Sequence, residues 1–111
     1  MSGTQLTVTL SGGGVDDARA VVRALEGVFG APDEFPADEN ATVHTATFDA
    51  TAAGSGQEGA ARLSAPVTVT VQGTPEAVQR ASDTLAHSFT AQDQGAASGD
   101  QEQERQLRLV P

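Results

Sequence analysis

The two histidines, His44 and His87, are the only side chains of the sequence that ordinarily titrate near neutral pH, and they are its first candidates for acid–base catalysis or metal binding. A metal site needs further ligands at a suitable spacing, such as two histidines four residues apart on one helix. We expect neither histidine to have a partner at such a spacing, and no cysteine is present to supply a thiolate. The sequence therefore predicts structural histidines, with no catalytic residue, no cofactor and no metal ligand.

The segment 11–14, Ser-Gly-Gly-Gly, could bind an anion, because it links a predicted strand to a predicted helix whose first N–H groups attract negative charge. A dinucleotide fingerprint would need a further glycine at the position of Asp17, and a phosphate loop would need Lys followed by Ser or Thr. Asp16 and Asp17 would also repel a phosphate. We therefore predict a plain turn.

The acids at positions 33, 34, 38 and 39 could hold Ca²⁺ or Mg²⁺ through their carboxylate oxygens. They lack the EF-hand spacing, with its central glycine and closing glutamate, so a hydrated acidic loop is favoured over a metal site. Ser55 lies between two glycines, but a nucleophile elbow needs a strand before the serine and a helix after it. The sequence therefore predicts a protein that is not an enzyme.

The composition predicts one small, acidic domain. The chain has 111 residues with 4% aromatics, which suits a single aliphatic core. All six basic residues are arginine, against fifteen acids, and the resulting net charge of −9 disfavours nucleic acid as a partner. Adaptation to concentrated salt and a GC-rich genome would each explain this balance. No apolar run is long enough for a membrane helix and no signal region follows Met1, so we expect no membrane association and a cytoplasmic location.

Hydrophobic periodicity predicts three elements in the first half of the chain. Alternating apolar residues predict a strand at 5–10, and apolar residues recurring at three and four positions predict a helix at 15–29. A weaker strand is expected at about 41–49, where Val43 and Phe48 would point to opposite faces of a sheet.

The second half begins with residues 50–65, whose small and polar composition predicts a mobile loop. Alternating valine and polar residues at 67–72 predict a strand. Thr74 suits a helix N-cap and Pro75 the first helical position, so a helix is predicted over 75–88.

The C-terminal region is expected to contain a linker and one short strand. We take residues 1–90 as a single α+β domain, residues 91–104 as a low-complexity flexible linker, and residues 105–111 as a C-terminal edge strand. The strand is inferred from Leu107 and Leu109, which alternate with polar residues.

This order, β-α-β-β-α-β, resembles the ferredoxin-like split sandwich. The resemblance implies an α+β fold with two helices on one face of a four-stranded antiparallel sheet, in which the first and third strands are central. It carries no function, because many proteins of different function share this topology.

The stretch Val67–Phe89, which begins V-T-V-T-V-Q-G-T-P-E-A-V-Q-R-A, resembles the strand and helix that close many KH domains. That resemblance implies nucleic-acid binding. A KH domain binds through a GxxG loop flanked by basic residues, which this chain lacks. An RRM-like use of the sheet would need stacking aromatics where the strands carry threonine. A nucleic-acid-binding, KH-like module is therefore a disfavoured alternative.

The polar side of the two clearest strands is uncharged in a strongly acidic chain. It consists of Gln5, Thr7, Thr9, Thr68, Thr70 and Gln72. An interface depleted of charge would have this composition, and so would an ordinary hydrated face, because threonine is a good strand former.

The main functional hypothesis is a noncatalytic binding or accessory module of unknown pathway, which acts through protein–protein contacts as a homodimer or as a subunit of a larger assembly. The alternative is a regulatory domain that senses a small metabolite.

Overall fold

The computed structural model describes residues 5–30, 32, 42–49, 63–98 and 102–111. Within these residues two helices pack on one face of a five-stranded antiparallel sheet. In chain order the elements are β1 (Gln5–Ser11), α1 (Val15–Phe29), β2 (Val43–Asp49), β3 (Val67–Gly73), α2 (Pro75–Ser88), β4 (Thr90–Ser98) and β5 (Gln103–Val110). The predicted α+β class with two helices is confirmed.

The strands lie in the order β2-β1-β3-β5-β4, and every neighbouring pair is antiparallel. The predicted count of four strands is too low. The second half of the chain has a split arrangement, since β5 lies between β3 and β4. The first half does not, because β2 pairs directly with β1 instead of running parallel to it across an intervening strand. The expectation that the first and third strands are interior is correct.

The core lies between the sheet and the helices. Along β1, Leu6, Val8 and Leu10 are buried, and the corresponding side chains of the other strands lie on the same face. In β2 the faces divide as expected: Phe48 is 1% exposed and Val43 is 52% exposed. The alternation of apolar and polar residues therefore sets which side of the sheet the helices cover.

The second helix begins at a local sequence signal. The Thr74 hydroxyl accepts a hydrogen bond from the Ala77 N–H at 3.2 Å, and Pro75 is the first residue of α2, as predicted.

The two helices contact each other, and the Arg80 guanidinium lies 4.9 Å from the centroid of the Phe29 ring at the end of α1. The Phe29 ring packs in turn against Phe48, with 6.0 Å between the ring centroids.

The C-terminal region differs most from expectation. Most of the expected linker at 91–104 is the strand β4, which pairs with β5 over its whole length, with a bulge between Asp93 and Gly95. The expected edge strand at 105–111 is the interior strand β5, since it lies between β3 and β4. The sequence does not indicate β4, because its side chains are polar or small and mostly exposed. Backbone hydrogen bonds to β5 hold the strand in place.

Candidate functional site

The face of the sheet opposite the helices carries regularly paired threonines. We call it the threonine face, and it consists of Thr7, Thr9 and Ser11 of β1, Thr45 and Thr47 of β2, and Thr68, Thr70 and Gln72 of β3. Within the described residues no helix or strand covers this face. Five of the six predicted interface residues belong to it, and the sixth, Gln5, lies on the same side at the end of β1, opposite Asp49.

The backbone register places the members of the threonine face in rows across the sheet. Thr9 lies between Thr45 and Thr70, the Cα partners on its two neighbouring strands. Thr7 lies in the same way between Thr47 and Gln72. Side chains paired across antiparallel strands approach to about 5 Å between their Cβ atoms, so the threonines form a continuous surface.

The sequence did not identify Thr45 and Thr47 as part of this surface. Both lie in β2, whose alternation is ambiguous because the residues on its core side include the small Ala46 and the half-buried His44. The signal that could have found them is the repeated Thr-X-Thr triplet at 7–9, 45–47 and 68–70. The pairing of β2 with β1 places Thr45 and Thr47 beside Thr9 and Thr7, and the third triplet is offset, so that only Thr70 lies beside Thr9.

The threonine face contains no ionisable side chain, although the chain carries a net charge of −9. Within the described part of the chain, the charges on this side of the sheet lie at its margins: Asp49 at the end of β2, Glu104 and Arg108 on β5, and Glu102 before β5, which accepts a hydrogen bond from the Gln72 side chain at 3.4 Å. The register places Arg108 beside Thr68 and Glu104 beside Gln72. Beyond them, a shallow depression of about 230 Å³ opens between β4 and β5.

The threonine face presents hydroxyl and methyl groups side by side. Each threonine hydroxyl both donates and accepts hydrogen bonds, and its methyl group is apolar, so a partner could satisfy the hydroxyls while covering the methyls. A threonine nucleophile needs a base within hydrogen-bond reach, and no histidine or carboxylate is a member of this face.

A buried carboxylate, Asp17, joins the start of α1 to the segment before β3. Asp17 is 2% exposed. It accepts hydrogen bonds from the Gly14 N–H at 3.1 Å, the Ser64 N–H at 2.7 Å and the Ser64 hydroxyl at 2.9 Å. Burial by itself would raise the pKa of Asp17, but the hydrogen bonds from Ser64 and Gly14 outweigh it and lower the pKa below 3.8. From the sequence alone, Asp17 served only as an argument against anion binding at the glycine turn.

The glycine turn before α1 is shaped around this carboxylate. Gly12 and Gly13 have positive φ angles of 81° and 65°. A Cβ atom on Gly13 would lie 2.7 Å from Oδ2 of Asp17, so a larger residue would displace the carboxylate. Asp17 accepts the Gly14 N–H that an anion would otherwise approach, which agrees with a structural turn.

The histidines lie apart from the threonine face. His44 is opposite Leu10 on the core side of β2, and His87 is exposed on α2. His87 does have a carboxylate four residues before it, Asp83, which the sequence expectation overlooked; Asp83 accepts a hydrogen bond from Gln79 at 2.8 Å. The described residues contain no group of three or more possible metal ligands. The acids at 33–39 and Ser55 lie outside the described residues.

Comparison of the chain with protein-family models, with curated proteins and with solved structures found no match. Neither helix of the described structure has the length and apolar character that crossing a membrane requires.

Proposed function

We propose that this chain is a noncatalytic module that binds a protein partner through the threonine face. The observation that carries the proposal is the neutrality of this face, which combines aligned threonines from three strands on a chain of net charge −9. Interface centres are depleted of charged residues, because an unpaired charge is costly to remove from water.

The opposing interpretation is a hydrated sheet surface on which threonine serves only as a strand former. Another strand of the same sheet, β5, provides a comparison. On β5 the residues that face the same way are Glu104, Gln106 and Arg108, which are long, polar and exposed. The members of the threonine face on β2, β1 and β3 are instead uncharged and, apart from Gln72, short. The threonine face is thus an uncharged centre with the charged side chains of β5 at its rim, which is the arrangement expected of a binding surface.

Replacing both Thr7 and Thr70 by arginine tests the proposal. The double substitution places two cations at the centre of the threonine face, and we expect it to abolish binding of any protein that the wild type retains in stoichiometric amount. The reason is that an arginine buried without a counter-charge is strongly unfavourable at an interface. The measurement is quantitative recovery of bound protein on the tagged wild type and on the variant.

The matched control is Ala86→Arg, which adds the same side chain at an exposed position of α2. It should leave binding unchanged, and circular dichroism should show that all variants are folded. If the variant with both arginines on the threonine face retains every partner of the wild type, the proposed binding surface is wrong.

A further inference from the structure

We infer that the partner of the threonine face is a second copy of this chain, bound face to face about a two-fold axis that runs along its central row. The inference rests on the proposed function and adds the identity and orientation of the partner. It comes from the positions of Arg108 and Glu104 relative to the rows of the sheet.

The register defines three parallel rows across β2, β1, β3 and β5. The central row is Thr45, Thr9, Thr70 and Gln106. The row on one side is Val43, Ser11, Thr68 and Arg108, and the row on the other side is Thr47, Thr7, Gln72 and Glu104. A two-fold axis along the central row superimposes that row on itself and exchanges the two outer rows.

This exchange makes the surface electrostatically self-complementary. Arg108 of one copy would lie opposite Glu104 of the second copy, and by symmetry the pair would form twice. Within one chain the two residues are four positions apart on β5, about 13 Å along a strand, which is too far for an ion pair. In the described part of the chain neither side chain has an ion-pair partner.

Net charge also favours this face for self-association. Two copies that each carry a charge of −9 repel each other, so they can approach closely only where the contact surfaces are neutral. On the helical layer, α1 and α2 expose acids such as Asp16, Glu76 and Asp83. The three rows carry one positive and one negative side chain, which cancel, and the two further acids on this side, Asp49 and Glu102, lie beyond the row of Glu104 at the end of the face.

The size of the sheet predicts a weak dimer. Five strands spaced about 4.8 Å apart, with about six residues each at 3.3 Å per residue, give a face of about 500 Å². Two such faces bury about 1,000 Å², the low end of specific interfaces. We therefore expect a weak dimer with a dissociation constant on the order of 100 µM.

The test is sedimentation equilibrium from about 10 µM to about 1 mM protein, a range that brackets a dissociation constant of about 100 µM. It compares the wild type with Arg108→Glu, Glu104→Arg and the variant that carries both changes. Each single change brings like charges together twice, so we expect each to raise the dissociation constant at least about tenfold. The combined charge swap restores opposite charges and should return the constant to within about threefold of the wild type. The control is Arg23→Glu, the same charge change on the exposed side of α1, which should not alter the dissociation constant.

The outcomes separate this inference from the proposed function. A wild type that stays monomeric throughout, or a charge swap that fails to restore a dimer weakened by the single changes, overturns the second-copy inference. In either case the proposed binding face is retained if the wild type binds a different protein and the variant with both Thr7→Arg and Thr70→Arg does not. If the wild type dimerises and the two threonine changes leave the dimer intact, the dimer uses another surface, and the second-copy inference is wrong.

Discussion

A chain that ends at Phe89 should lack cooperative thermal unfolding. The truncation removes β4 and β5, and β5 supplies the buried Leu107 and Leu109 beside β3. It also exposes the apolar side of α2, which contacts β3, β4 and β5. Removing one buried leucine side chain typically costs roughly 2–5 kcal/mol, and small domains have only about 5–15 kcal/mol in total. Circular dichroism during heating measures the result.

A milder variant keeps this prediction testable if the truncated chain does not express. Leu109→Ala should lower the free energy of unfolding by roughly 2–5 kcal/mol, because Leu109 is fully buried. Gln106→Ala, on the exposed side of the same strand, should have little effect. A truncated chain that melts at the wild-type temperature would show that β5 is not part of the cooperative fold.

Replacing Asp17 by asparagine should be the most damaging polar substitution in the described structure. The amide keeps the size of the carboxylate but turns one acceptor oxygen into a donor, which then faces the N–H of Gly14 or the donors of Ser64. Hydrogen bonds to a charged group contribute about 1.5–3 kcal/mol each, and we expect a net loss of roughly 2–4 kcal/mol. For a chain of this size that corresponds to a fall in Tm of roughly 10–25 °C.

The pH dependence follows from the lowered pKa of Asp17. The folded state binds this proton less readily than the unfolded state, so the stabilisation is complete above the usual pKa of 3.8 and is lost as pH falls through the lower folded pKa. The difference in Tm between wild type and Asp17→Asn should therefore be constant near neutral pH and shrink below 3.8. Asp16→Asn, with 93% of its side chain exposed, is the control and should change little. Equal melting temperatures for the two variants at neutral pH would refute this role of Asp17.

The elements that the sequence identified are those with a strong local signal. The regular alternation in β1 and β3 and the apolar stripe of α1 each predict a secondary structure without knowledge of the fold. Thr74 and Pro75 likewise mark the start of α2 by short-range chemistry.

What the sequence missed depends on contacts between distant residues. β4 has no hydrophobic alternation, because it consists largely of glutamine, alanine and glycine at exposed positions. Its pairing with β5 is what identifies it as a strand. The position of β2 beside β1 follows from pairing that no local pattern specifies. The hydrogen bonds between Asp17 and Ser64 join residues 47 positions apart.

The candidate site was predicted in part from the sequence. The predicted Thr7, Thr9, Thr68 and Thr70 share one face because both strands alternate clearly. The contribution of Thr45 and Thr47, and the placement of Arg108 and Glu104 in the flanking rows, required the strand order. The interface role of all these residues stays a prediction.

The most direct test of the proposed interface is a concentration series of NMR spectra with the threonine methyl groups labelled. Between about 10 µM and about 1 mM, a dimer with a dissociation constant of about 100 µM passes from mostly dissociated to mostly associated. We predict that the methyl resonances of Thr7, Thr9, Thr45, Thr47, Thr68 and Thr70 shift together along one binding curve. Thr74 and Thr84, at the cap and on the body of α2, should stay constant. Resonances that do not move with concentration, or shifts confined to α2, would contradict self-association through the threonine face.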